Sequence, residues 1–292
     1  MQEGTLQVGR EELDLDTTMQ VGQTFAWHRV DGSNLYGDGE DRYYTTKDGD
    51  VLVLWQKDDL LHYRATGGME DEIEDRLRLH ESLDEITSRL QGTDPVLDEA
   101  LDRYRGLRVL NDDVFPCLIS YLCSVQMRIP RIKKLYDTLA REYGETIEAG
   151  GREFLQFPSV EQLAAASEQE LRDLGVGYRA KYIAETTDQL RDGLVDLDGL
   201  AERGYREAHG ELTELYGVGD KVADCVALFG CGHLEAVPID TWIRTAVEEH
   251  YPQLHDDDYH AMADNLREFF AAHPGYAQEY LFHHIRNGDV ST

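Results

Sequence analysis

The amino-acid sequence predicts an α+β protein, with a β-rich domain over residues 1–95 followed by a helical region over 96–292. Three observations carry this division. Short aromatic and β-branched runs, split by Gly-Asp turns, fill the first part. An apolar periodicity of 3.6 residues dominates the second. The length of 292 residues leaves room for two or three compact units, each with its own core.

In chain order, "QTFAWHRV", "LYGDG", "RYYTTKDGDVLVLWQ" and "LLHYRATG" read as strands and turns. The acidic stretch "MEDEIEDRLRLHESLDEITSRL" opens the first helical segment. "VFPCLISYLCSVQ" is almost continuously apolar, so its helix is expected to be buried on most sides. "RIPRIKKLYDTLAREYG", "SVEQLAAASEQELRDLG" and "YRAKYIAETTDQLRDG" continue the helical period.

Charge is the outstanding feature of the composition. Asp and Glu number 58 against 28 Lys and Arg, of which six are Lys, giving a formal net charge of −30. Such a carboxylate-rich surface keeps a protein hydrated in concentrated salt, and a halophilic setting is expected. At molar salt the Debye length is only about 3 Å, so the acidic total does not exclude a nucleic-acid partner. No apolar run of membrane-spanning length is present, and the N-terminus shows no secretory leader, so a cytoplasmic protein is expected. Cys117, Cys123, Cys225 and Cys231 form two C-x5-C pairs, a spacing that suits neither zinc nor an iron–sulfur cluster. Buried thiols, no metal and no cofactor are expected.

The chemistry concentrates in "LYGVGDKVADCVALFG", residues 215–230. "GELTELYG" and "GDKVADCVALFG" read as two helices joined by Gly217-Val218-Gly219. Val222, Cys225, Val226 and Phe229 form the buried stripe of the second. The G-V-G turn admits positive φ and leaves backbone amides near a helix N-terminus, an arrangement that favours a phosphate. It is neither a dinucleotide fingerprint nor a P-loop. Lys221 lies one turn before Cys225, beside an apolar surface, where an amine can lose its proton and become a nucleophile. Asp240, in "VPIDTW", heads a helix as an N-cap whose charge is supported by backbone N–H groups. By themselves these residues fit equally a plain connector, a cap and a surface lysine.

"LYGVGDKVADCVALFGCGHLEAVPIDTW" resembles the helix-hairpin-helix DNA glycosylases, in their lysine-bearing 8-oxoguanine DNA glycosylase/AP-lyase branch. The likeness extends through "VGQTFAW", "VFPCLISYLCSVQ", "GVGYRAKY" and "GYAQEYLF", in the family's order. It implies a TATA-binding-protein-like antiparallel sheet packed on an all-α helix-hairpin-helix glycosylase domain, with two helical sub-domains around the active-site cleft. It also implies a bifunctional enzyme on double-stranded DNA containing a damaged purine. The damaged nucleotide would leave the stack, Lys221 would attack C1′ and form a Schiff base, and β-elimination would cut the strand. Asp240 would activate the lysine and stabilise positive charge on the sugar.

The same resemblance assigns the base pocket to Gly22, Cys225, Gln278 and Phe282. The Gly22 carbonyl would accept the N7 hydrogen that 8-oxoguanine carries and guanine lacks. Gln278 would read the pairing edge, Phe282 would stack on the base, and Cys225 would form the opposite wall. Gly217, Val218 and Gly219 would grip the backbone, Tyr178 would wedge the kinked duplex, and Arg131 and Arg179 would bond the opposite cytosine. The basic run "RIPRIKK" stands out in so acidic a chain, although Lys133 and Lys134 also fit a solvated helix face. Three places depart from the family pattern. Gln126-Met127-Arg128 stands where the eukaryotic branch has asparagines, with Gln126 left to fill the gap of the flipped base. Trp242 replaces a histidine, and Tyr216 a proline. Hairpin carbonyls could hold a monovalent cation, and a monomer is expected. The competing readings are an alkylated-base glycosylase of the same fold and a non-catalytic helix-hairpin-helix DNA-binding protein.

Overall fold

The computed structural model describes residues 1–30, 42–125 and 127–288; the "LYGDG" stretch and Gln126 lie outside the described residues. Five strands form one antiparallel sheet in the order β1-β5-β4-β3-β2: β1 (Gln2–Gln7), β2 (His28–Arg29), β3 (Tyr43–Lys47), β4 (Asp50–Lys57) and β5 (Leu60–Ala65). Asp48 and Gly49, both at positive φ, make the two-residue turn between β3 and β4 that the sequence "KDGD" announces. Side chains alternate between two buried faces. Tyr43, Leu52, Leu54 and Leu61 pack with Leu13, Leu15, Met19 and Trp27, while Tyr44, Val51 and Val53 pack with Phe154.

The helices follow as α1 (Leu15–Gln20), α2 (Ile73–Arg76), α3 (Leu83–Leu90), α4 (Pro95–Arg103), α5 (Val114–Ser124), α6 (Ile129–Tyr143), α7 (Val160–Ala164), α8 (Glu168–Leu171) and α9 (Arg179–Arg191). The C-terminal part adds α10 (Tyr205–Thr213), α11 (Asp220–Phe229), α12 (Thr241–His250), α13 (Tyr259–Phe269) and α14 (Pro274–Arg286). A hairpin, β6 (Glu145–Ala149) and β7 (Arg152–Gln156), interrupts the helices and supplies Phe154 to the outer face of the sheet. No helix among the described residues is long and apolar enough to cross a membrane.

The structure corrects three local expectations. Of "QTFAWHRV" only His28–Arg29 joins the sheet. The Gln23 side chain instead donates to the carbonyls of Thr18 and Arg108 and accepts from the Leu110 amide, which holds residues 23–27 against the helical region. "SVEQLAAASEQELRDLG" breaks into α7 and α8, because Ser159-x-x-Gln162 and Ser167-x-x-Glu170 each close a capping box.

Lys133 is neither a solvated lysine nor a group exposed to a partner. It is 6% exposed, and its ammonium donates to the Phe25 carbonyl, His28 Nδ1 and Asp137 Oδ1 at 3.2, 2.7 and 2.8 Å. This cluster joins α6 to the entry of β2. Burial, aided by Lys133, pushes the His28 imidazole down to about 4. The unfolded chain therefore takes up a proton on His28 below about pH 6.5 that the folded protein refuses, and stability falls with pH. The expected loss between pH 6.5 and 4.5 is on the order of 2–3 kcal/mol. Urea midpoints across that range check it: His28→Gln should show a correspondingly shallower dependence, and an identical slope would refute the assignment.

Candidate active site

A cleft of about 1080 Å³ opens where α11, α12 and α14 meet the end of α5 and the turn at Gly22. Its walls bring together six residues from four separate segments: Gly22, Lys221, Cys225, Asp240, Gln278 and Phe282.

Each is placed by a local reason. Lys221 sits in the first turn of α11, whose residues 222–229 are all buried, so the half-buried lysine stem rises from a rigid base. Its Nζ lies 4.8 Å from the centre of the Tyr121 ring. Asp240 caps α12, its Oδ1 accepting the Ile243 amide at 2.9 Å. A buried relay ties the two helices together. Asp224 accepts hydrogen bonds from the Tyr205 and Tyr259 hydroxyls at 2.5 and 2.6 Å, and the Tyr259 oxygen accepts the Ile239 amide at 3.2 Å. The segment leading to Asp240 is thus held to the helix that carries Lys221. Cys225 is buried, and burial pushes its thiol up to about 12, against the opposing charge of Lys221. It is an apolar wall at neutral pH, not a second nucleophile.

Gly22 has φ +95°, a left-handed conformation natural only to glycine. Its neighbours are clamped on both sides. Arg286 donates to the carbonyls of Val21 and Gln20, and the Gln23 carbonyl accepts the Tyr121 hydroxyl at 2.6 Å. Gln278 and Phe282 line the same cleft one turn apart on α14. Gln278 is buried, and its Oε1 has no hydrogen-bond partner among the described residues.

Gly217 and Gly219 edge the same cleft. Only Gly217 needs a glycine's freedom, with φ +84° and Tyr182 ring atoms within 2.8 Å of where a Cβ would stand. Gly219 is the extended N-cap of α11 and offers its first-turn amides no side-chain acceptor, which leaves them for an anion. The Val218 side chain is buried and its amide donates to Leu215 O at 3.1 Å, so Val218 anchors the turn rather than facing outward. Tyr178 is 43% exposed beside the cleft, and the Arg179 guanidinium stacks 4.4 Å over its ring. Arg179 is itself buried and donates to the Val125 carbonyl, while Arg131 is exposed at the start of α6.

Similarity to known proteins shows the family and the fold. Residues 5–118 match the N-terminal domain of 8-oxoguanine DNA glycosylases, and residues 119–272 match the HhH-GPD superfamily of base excision DNA repair proteins. The chain belongs to the 8-oxoguanine DNA glycosylase/lyase family. It is similar to the N-glycosylase/DNA lyase OGG1 of Arabidopsis thaliana, with 33% identity over 95% of this chain and 78% of that protein. A probable N-glycosylase/DNA lyase of Methanothermobacter thermautotrophicus is 34% identical over 68% of this chain and 69% of its own. The Clostridium acetobutylicum 8-oxoguanine glycosylase/lyase, solved with double-stranded DNA containing cytosine opposite 8-oxoG, superposes with a TM-score of 0.84 at 28% identity, over 96% of this chain and 93% of that one. The protein is a bifunctional DNA glycosylase and lyase.

Several groups in the glycosylase's cleft escape sequence reasoning. Tyr121, Arg286 and Tyr259 carry no signal beyond apolar or charged periodicity, yet they fix Lys221, Gly22 and the approach to Asp240. Arg128 and Arg244 add positive charge to the walls. Tyr182, one turn after Tyr178, extends an aromatic strip to Tyr216, and Trp242, also lining the cleft, is 50% exposed.

Proposed function

We propose that this glycosylase excises 8-oxoguanine from duplex DNA after extruding the damaged nucleotide into the cleft, and then cuts the strand as a lyase. The convergence of Lys221, Asp240, Gly22, Cys225, Gln278 and Phe282 on one cleft carries the proposal. Lys221 attacks C1′ as the base departs, a Schiff base forms, and β-elimination breaks the 3′ phosphate bond. The Asp240 carboxylate stabilises the positive charge that develops on the sugar. Gly22 discriminates the oxidised base, Gln278 reads its pairing edge, and Phe282 stacks on it. The first-turn amides at Gly219 grip a phosphate, Tyr178 wedges the duplex, and Arg179 and Arg131 face the opposite strand; for Arg179 this requires release from the Val125 carbonyl. A monovalent cation at the hairpin carbonyls would add to the grip. The enzyme acts as a cytoplasmic monomer, and its acidic surface suits a salt-rich cell interior.

Borohydride trapping on a duplex with one 8-oxoguanine opposite cytosine tests the reading. A covalent adduct with strand cleavage is expected. Base release without an adduct, and a preference for alkylated purines, would replace it with an alkylated-base glycosylase.

Gly22→Ala offers a narrower check. A Cβ at φ +95° costs on the order of 1–2 kcal/mol and displaces the carbonyl. Discrimination between 8-oxoguanine and guanine, measured as the ratio of single-turnover rates, should fall roughly tenfold or more, the worth of one buried hydrogen bond.

A further inference from the structure

Helix α14 presents four residues to the cleft, and one of them, Glu279, has no part in the chemistry described so far. Its side chain lies between Gln278 and Phe282 in sequence, 2% exposed, and its Oε1 has no hydrogen-bond partner among the described residues. A carboxylate in such a place would be expensive, because buried charge requires pairing. Arg286, whose charge acts on it, is already committed to the carbonyls of Val21 and Gln20. Asp240 adds like charge from the head of α12. Burial, partly offset by Arg286 and reinforced by Asp240, pushes the Glu279 carboxyl up to about 8, so the neutral acid prevails at pH 7. From the other walls the cleft receives Lys221 and Asp220 on α11, Arg244 on α12 and Arg128 before α6, with the Cys225 thiol and the Tyr121 and Tyr259 phenols.

A neutral carboxyl is a hydrogen-bond donor as well as an acceptor. Gln278 Oε1, also buried and unpartnered, lies next to it in the chain. Two unmet polar groups on one wall of the cleft call for a ligand with complementary edges. We propose that Glu279 is a further contact of the extruded base, donating its O–H to a carbonyl oxygen or ring nitrogen of the oxidised purine alongside the Gln278 amide. This rests on the 8-oxoguanine reading above. Ionised, Glu279 would lose its donor and set a second negative charge beside Asp240, facing a base that leaves with the electrons of its glycosidic bond. Excision therefore depends on the protonated form.

The test is single-turnover release of 8-oxoguanine opposite cytosine, from pH 6.5 to 9.5, by wild type, Glu279→Gln and Glu279→Leu. Thermal unfolding establishes that each variant is folded. Wild type should lose activity above about pH 8. Glu279→Gln, whose amide donates but does not titrate, should be about fivefold slower at pH 7 and lack the alkaline decline. The ratio of wild-type to Glu279→Gln rates should therefore fall about thirtyfold between pH 7 and 9.5. Glu279→Leu should be slower than Glu279→Gln at pH 7. A ratio constant with pH, or a Leu variant as fast as wild type, would overturn the contact while leaving the 8-oxoguanine activity in place. No release by wild type at any pH would remove the functional reading itself, and the contact with it.

Discussion

Lys221→Gln is expected to abolish the borohydride-trapped adduct and strand cleavage, and to slow base release by at least about a thousandfold. The amide nitrogen of glutamine shares its lone pair with a carbonyl and cannot attack C1′, so neither the covalent intermediate nor the elimination that follows from it can form. The fold should tolerate the change. Lys221 is half-buried at the start of α11, and its ammonium lies over the Tyr121 ring. Losing that contact costs about 1 kcal/mol or less, and removing a positive charge from a helix N-terminus offsets part of it. A thermal midpoint close to wild type alongside a dead enzyme would assign the loss to chemistry. Undiminished base release by the variant would instead mean that water is the nucleophile, with Asp240 orienting it.

How much of this site is legible in the sequence depends on how local its determinants are. Lys221, Gly217 and the buried stripe of α11 fall within a dozen residues, where helical period and turn chemistry both apply. Asp240 is legible for the same reason, since a cap is a local interaction, and the structure shows its Oδ1 on the Ile243 amide. The exposed strand β1 gave no such signal. Its side chains at Gln2–Gln7 are mostly polar and solvent-facing, and only pairing with β5 makes it a strand. The β6–β7 hairpin is hidden similarly, because Phe154 finds its partner, Tyr44, on a sheet more than a hundred residues earlier. Lys133 misleads most. Its place in a basic run suggests exposure, whereas its i+4 carboxylate, Asp137, and the distant His28 hold it inside. Contacts of that kind are set by tertiary packing, and no window of sequence contains them.

Asp240→Asn should separate the two halves of the reaction. Asparagine ranks with aspartate as an N-cap and can accept the same Ile243 amide, so α12 should keep its start and the protein its stability. What the substitution removes is a negative charge in the cleft that holds Lys221. Departure of the base from an intact nucleotide builds positive charge on the sugar, and loss of a preorganised counter-charge should cost roughly a hundred- to a thousandfold in single-turnover base release. A preformed abasic site makes a weaker demand, since its open-chain aldehyde is already electrophilic and Lys221 remains to attack it. Strand cleavage at such a site should therefore fall far less than base release does. Binding to undamaged duplex should be unchanged or tighter, because the lost charge repels phosphate. Equal losses in excision and in abasic-site cleavage would shift the role of Asp240 from the sugar cation to activation of the lysine. Intact excision would exclude Asp240 from the chemistry and leave it as the cap of α12.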